Sequence, residues 1–320
     1  MSQFIDSLQK INPTVGAAIV GAGAGLITAL ATRWIQLIAD RYSLNYKLAK
    51  EFAFEQKRHI KQEISATKMP LLNAAEQLNF RLWNLSSNID KGWHNKRESE
   101  WSDPGNYYLH SFVYRLLVFL NLAFQADRSV QTYDSTLFSR KDSDVVYLKY
   151  VKSFKNFFCD VLILKEFKYD SEFATHHFFR DHLSDFVRFV SDPEGNVIDF
   201  SQYLIKIGTN WGQIRQVLEY VTSIERKLEN INHNMMMGFH LMLMTFLNKY
   251  GHDYQVTIQP KIRGIIADLY CQMTNRAGFV QYLARCKIHK DFRSSIRLLV
   301  PCRRERRELV RDQYLRIGTT

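Results

Sequence analysis

The chain has 320 residues, is 46% hydrophobic and 13% aromatic, and carries a formal net charge of +11. This composition excludes general disorder, and the length suits one large domain or two small ones. The charge is uneven: residues 261–320 hold 14 Lys and Arg against 5 Asp and Glu, whereas residues 1–260 hold 29 against 27. A basic end suits anionic lipid headgroups or nucleic acid phosphates. Four widely spaced cysteines, Cys159, Cys271, Cys286 and Cys302, include no CxxC pair. They exclude a disulfide framework and fit reduced thiols in a cytosolic domain.

The first element is the most telling. Ile11 to Thr32 is a run of 22 residues without a charge, closed by Arg33. As a helix it spans roughly 33 Å, close to the ~30 Å hydrocarbon thickness of a bilayer. The reading is a transmembrane helix. Pro13 suits a helix start, and Trp34 falls where aromatic belts lie. Upstream, Lys10 is offset by Asp6; downstream come Arg33, Arg41, Lys47 and Lys50. The positive-inside rule puts residues 1–10 outside and the rest in the cytoplasm, at the inner membrane. Ala17, Gly21, Gly25 and Ala29 recur at four-residue spacing, a small-residue face that lets a second backbone approach and so points to a homo-oligomer.

Three competing readings weigh less. Ala29-Leu30-Ala31 resembles a signal-peptide cleavage site, but the preceding segment has no net charge and basic residues follow the run. Gly21, Gly23 and Gly25 evoke a dinucleotide turn, but the spacing is GxGxG and no βαβ unit follows. A buried helix of a soluble fold is the third, because Gly and Ala make the run only moderately apolar.

Helical spacing continues past Arg33 through Leu37, Ile38, Leu44, Leu48 and Phe52, predicting a stalk to about Ala66. Pro70 is expected to interrupt it and open a second helix through Leu85, carrying Leu71, Leu72, Ala75, Leu78, Leu82 and Leu85. Residues 90–106 read as a loop. Tyr107 to Ala126 reads as a helix in which His110 and Arg115 favour burial over a second membrane span. Further helices are predicted at 142–165, 171–190, 199–208, 210–230, 234–249, 261–287 and 303–316. Ser191 to Asn196 is a turn, and Tyr254 to Ile258 fits one short strand. The fold class is all-α: a transmembrane helix (11–32) running into a cytoplasmic helical bundle (33–260) and a basic helical C-terminal region (261–320).

The small-residue anchor, Leu78-Asn-Phe-Arg-Leu-Trp-Asn-Leu85 and Tyr107-Tyr-Leu-His-Ser-Phe-Val-Tyr-Arg-Leu-Leu117 together resemble a loose group of uncharacterised bacterial proteins. These have one N-terminal membrane helix followed by a helical cytoplasmic domain. The resemblance covers about the first 130 residues. It implies location, and no activity.

Motifs for chemistry are sparse. His177, Asp181 and Asp185 fall at i, i+4 and i+8, a helical face able to offer metal ligands, although Arg180 and Arg188 can pair with the carboxylates. The bland reading, a solvated face, is favoured, so no metal is assigned. Cys286-Lys-Ile-His289 has only one close ligand pair where zinc needs two. Met235 to Met244 reads as a buried helix packed with adaptable thioethers. Arg285, Lys287, Lys290, Arg293, Arg297, Arg303, Arg304, Arg306, Arg307 and Arg311 form the candidate contact for lipid or another polyanion. The P-loop, GxSxG, HExxH and EF-hand patterns do not occur, and no cofactor or catalytic residue is assigned.

These features favour a non-enzymatic membrane protein, a sensor or effector in defence or stress, whose partners are membrane lipid, a second copy of itself, and a nucleic acid or protein. The alternatives are a membrane-tethered polyanion binder and a metal-dependent hydrolase.

Overall fold

The computed structural model describes residues 13–131, 143–164, 176–227, 230–264, 276–293 and 295. They are mostly helical, and no strand occurs among them. The chain divides into two units, Met1–His59 and Ile60–Thr320.

Helix α1 is Pro13–Asn88. Within the first unit, every described side chain from Ala17 to Phe52 is exposed, including Val20, Ile27, Trp34 and Phe52. From Ile60 onward one stripe turns inward: Ile60, Ile64, Leu71, Ala75, Leu78, Leu82 and Leu85 are buried. This 3–4 spacing is the apolar face predicted for the helix after Pro70.

The expected break at Pro70 is corrected, because α1 runs through it. A proline in a helix interior forfeits one hydrogen bond and costs about 3 kcal/mol or more. Pro70 lies on the exposed side. Leu71 and Leu72, both buried, follow it on the packed side. Each buried Leu contributes about 1.5–3 kcal/mol, so packing outweighs the local loss.

Residues 89–106 form a loop holding two 3₁₀ turns, Ile89–Lys91 and Glu98–Glu100. Helix α2, Tyr107–Ser129, follows. It is long and apolar enough to cross a membrane, but 72% of its apolar window is buried within the fold. His110 is among its buried residues, and one ring nitrogen (Nε2) lies 2.8 Å from the Asp103 carbonyl oxygen.

The remaining helices are α3, Ser143–Phe157; α4, Arg180–Arg188; α5, Phe200–Asn210; α6, Arg215–Thr222; α7, Ile231–Tyr250; and α8, Arg276–Arg285. Helix α2 packs against α3, α4, α5 and α6. Three predicted helices are shorter than their apolar spacing suggested; the one expected over 210–230 opens with a 3₁₀ turn, Trp211–Ile214, and its α-helical part ends at Thr222. The one expected over 142–165 ends at Phe157 and gives way to a 3₁₀ turn, Val161–Ile163. The one expected over 171–190 begins at Arg180 in the described residues, after a non-helical 176–179.

Helix α7 is the centre of the core. Its residues Ile231 to Met244 are buried without a break, so these turns have no solvent face, and only the last turns reach the surface, at Lys249. Phe239 meets Phe119, Phe154, Phe157 and Phe158, with ring centroids 4.8–5.8 Å apart. Such contacts add about 0.5–1.5 kcal/mol per pair beyond area burial.

The turn at 191–196 forms as expected. The Asp192 carboxylate accepts the Asn196 N–H at 2.7 Å, and Gly195 takes φ +90°, a conformation that suits glycine. The strand expected over Tyr254–Ile258 does not form; a 3₁₀ turn, Asp253–Gln255, stands at its start. Alternation is present but inverted. Gln255 and Thr257 are buried, while Tyr254, Val256 and Ile258 are exposed. Asn248 takes the place of a neighbouring strand: its side-chain oxygen accepts the Thr257 N–H at 2.7 Å, and its amide donates to the Thr257 carbonyl at 3.1 Å.

Candidate functional site

The predicted self-association residues Ala17, Gly21, Gly25 and Ala29 all lie on the exposed part of α1. A Cβ added at Gly21 or Gly25 would meet nothing within 4 Å in this chain. The stretch containing them is one of two helices long and apolar enough to span a bilayer, and none of its apolar window is buried.

The proposed metal face is not formed. His177 precedes α4 and is buried, its ring edge against Phe179 at a centroid distance of 5.3 Å. Asp181 and Asp185 belong to the helix, and Arg188 reaches Asp185 at 3.5 Å. Among the described residues no group of three His, Cys, Asp or Glu side chains is placed to hold a metal ion. The clustered sequence positions gave the wrong geometry because the helix starts three residues after His177.

Of the basic candidates, Arg285, Lys287, Lys290 and Arg293 are described, and all four are exposed. Arg297, Arg303, Arg304, Arg306, Arg307 and Arg311 lie outside the described residues, as do Cys271 and Cys302. Arg285 donates to the Asp160 carboxylate at 2.6 Å.

That ion pair sits in the wall of a cavity of about 540 Å³. Helix α3 presents Lys149, Lys152, Ser153 and Asn156 to it. Their spacing of i, i+3, i+4 and i+7 is a single helical face. Helix α8 contributes Tyr282 and Arg285, with Cys286 just beyond, again at i, i+3 and i+4. Cys159, Asp160, Val161 and Leu162 enter from the segment after α3, and Arg180 from the start of α4. The Tyr282 hydroxyl donates to the Ser153 carbonyl, tying α8 to α3. The Asp160 carboxylate also caps the 3₁₀ turn by accepting the Leu162 N–H at 3.0 Å.

The electrostatics are one-sided. Among the described lining residues, the cations Lys149, Lys152, Arg180 and Arg285 outnumber the carboxylates, of which Asp160 is engaged by Arg285. Burial pushes the Cys159 thiol up to about 11, against a lesser opposing pull from Arg180. Burial also raises Cys286, and it raises Tyr282 well above the phenol value. All three are therefore protonated and neutral near pH 7, which makes the thiols poor nucleophiles. The cavity holds positive charge rather than an acid–base pair.

The sequence singled out Arg285 for polyanion contact, offered Arg180 only as an ion-pair partner for Asp181 and Asp185, and left Lys149 and Lys152 unremarked. Each reads singly as a surface cation. The available signal was the i, i+3, i+7 placement of Lys149, Lys152 and Asn156 opposite the apolar face of the same helix. No protein-family model, no curated protein and no solved structure matches the chain.

Proposed function

We propose that this is a single-pass inner-membrane protein whose cytoplasmic helical domain is a non-enzymatic sensor or effector. The observation that carries the reading is the helix segment from Thr14 to Thr32: it has no charge, and none of its apolar window is buried. Leaving Val15, Ile19, Val20, Leu26, Ile27 and Leu30 in water forfeits about 1.5–3 kcal/mol for each large side chain. A bilayer recovers that free energy, and a helix satisfies its own backbone groups there. The basic residues from Arg33 onward then meet the anionic cytoplasmic leaflet.

The full chain should remain with membranes after an alkaline carbonate wash and leave them only in detergent. A C-terminal reporter should be active in the cytoplasmic form. Recovery of the chain in the supernatant without detergent would end the reading.

Self-association through Ala17, Gly21, Gly25 and Ala29 extends it. Since the glycine positions are open within one chain, a bulky residue there perturbs only a contact with another molecule. Replacing both Gly21 and Gly25 with Leu should lower the oligomeric fraction in a membrane association assay several-fold, with insertion retained. An unchanged oligomer size would remove this face from the contact.

A further inference from the structure

We propose that the cavity between α3, the Val161–Ile163 turn, the start of α4 and the end of α8 binds a phosphorylated small molecule of mononucleotide size. The first ground is charge. Among the described residues, four cationic side chains and one carboxylate line the cavity, and the carboxylate is held by Arg285. Lys152 and Arg180 are exposed and make no ion pair among the described residues. Bringing these cations together raises their mutual repulsion. A ligand with two or three negative charges relieves it, with guanidinium forks suited to phosphate oxygens.

The second ground is the rest of the lining. Val161 and Leu162 are exposed apolar residues in the cavity lining. An inorganic ion would leave these surfaces in contact with water. A ligand with a planar or aliphatic body covers them while its phosphates meet the lysines and arginines. The volume falls within the ~300–1,000 Å³ usual for small-molecule sites. The two thiols and the phenol are neutral, so they do not repel an anion.

The third ground is the join. Arg285 and Asp160 bridge α8 to the segment after α3, and the Tyr282 hydroxyl links α8 to Ser153. Charge arriving in the cavity therefore acts directly on the contact between α8 and α3. The inference deepens the sensor reading by naming the chemistry of its ligand. It rests on residues of the second unit alone, so calorimetry tests it and fractionation tests anchoring, and each can fail without the other.

The test uses the full chain in uncharged detergent micelles at near-physiological salt. ATP and inorganic pyrophosphate are titrated in by calorimetry. ATP should bind saturably, and pyrophosphate more weakly. Lys152→Gln combined with Arg180→Gln should weaken ATP binding about tenfold or more, with an unchanged melting temperature because both side chains are exposed. Lys152→Gln alone should give a smaller loss and serves if the double variant does not fold. Lys61→Gln with Lys91→Gln, both exposed and outside the cavity lining, should leave binding within about twofold. No saturable binding of either probe would overturn the proposal, as would equal loss in the two double variants. Displacement of ATP by phosphatidylglycerol added to the micelles would assign the cavity to a lipid headgroup and overturn it equally.

Discussion

Phe239→Ala should destabilise the protein by about 3–5 kcal/mol, enough to consume a third or more of the net stability of an ordinary domain. Phe239 is fully buried on α7 and touches aromatic rings of α2 and α3 and of the residue that follows α3. Removing its ring loses the transfer free energy of the buried atoms. It also leaves a cavity that four surrounding phenylalanines cannot all move to fill. Chemical denaturation of the detergent-solubilised chain, followed by tryptophan fluorescence, measures the change. Phe80→Ala is the control, since that ring is 63% exposed, and it should shift stability by no more than about 0.5 kcal/mol. Equal effects of the two substitutions would mean that α7 is not the centre of the core.

Acid should begin to destabilise the protein above the pH at which most carboxylates titrate. Burial lowers His240 to about 3, and lowers His233 to about 4 with a further contribution from Arg226. Burial also lowers His94 and His110. His240 sits with one ring nitrogen (Nε2) 2.9 Å from the Asn79 side-chain oxygen, which suits a neutral ring donating an N–H to it. Its other ring nitrogen is buried without a hydrogen-bond partner, and the Trp83 ring lies edge-on at 5.0 Å. A proton there would place a charge in a dry core.

The sign follows from proton counts. Between the unfolded histidine value near 6.5 and the lowered folded values, the unfolded chain binds more protons than the folded one. Stability is therefore complete above about pH 6.5. It falls as pH drops toward 4 for His233 and toward 3 for His240, by up to about 1.4 kcal/mol per pH unit for each group. The melting temperature should decline steadily from pH 6.5 to 5, and His240→Gln should make that decline shallower. A melting temperature independent of pH across this window would show that the buried rings are not held neutral.

The sequence made the helices legible wherever one face was apolar and the other wet. The stripe Leu71, Ala75, Leu78, Leu82 and Leu85 was visible from its spacing, and each of these residues is fully buried. Helix α7 was visible from composition instead, because a stretch enclosed on every side has no periodicity to read. Pro70 misled because the local rule for proline takes no account of the leucines beside it. His177 misled through a helix placed several residues too early. Asp181 in the first turn of α4 and Arg188 in its last were the better markers of its ends, since each charge opposes the nearby end of the helix dipole. The cavity was illegible because its lining comes from positions 149–162, 180 and 282–286, and only the packing of α8 on the segment after α3 brings them together.

The enclosure of α7 also bears on damage by oxidants. Met235, Met236, Met237, Met242 and Met244 are all buried there, so peroxide reaches their sulfur atoms chiefly when the fold opens or before it has formed. A sulfoxide acquired at that moment is polar and chiral, and no solvent-facing side of the helix is left at these positions to receive it. The same burial that shields the intact molecule would stop an oxidised copy from closing again, and repair would have to come before refolding.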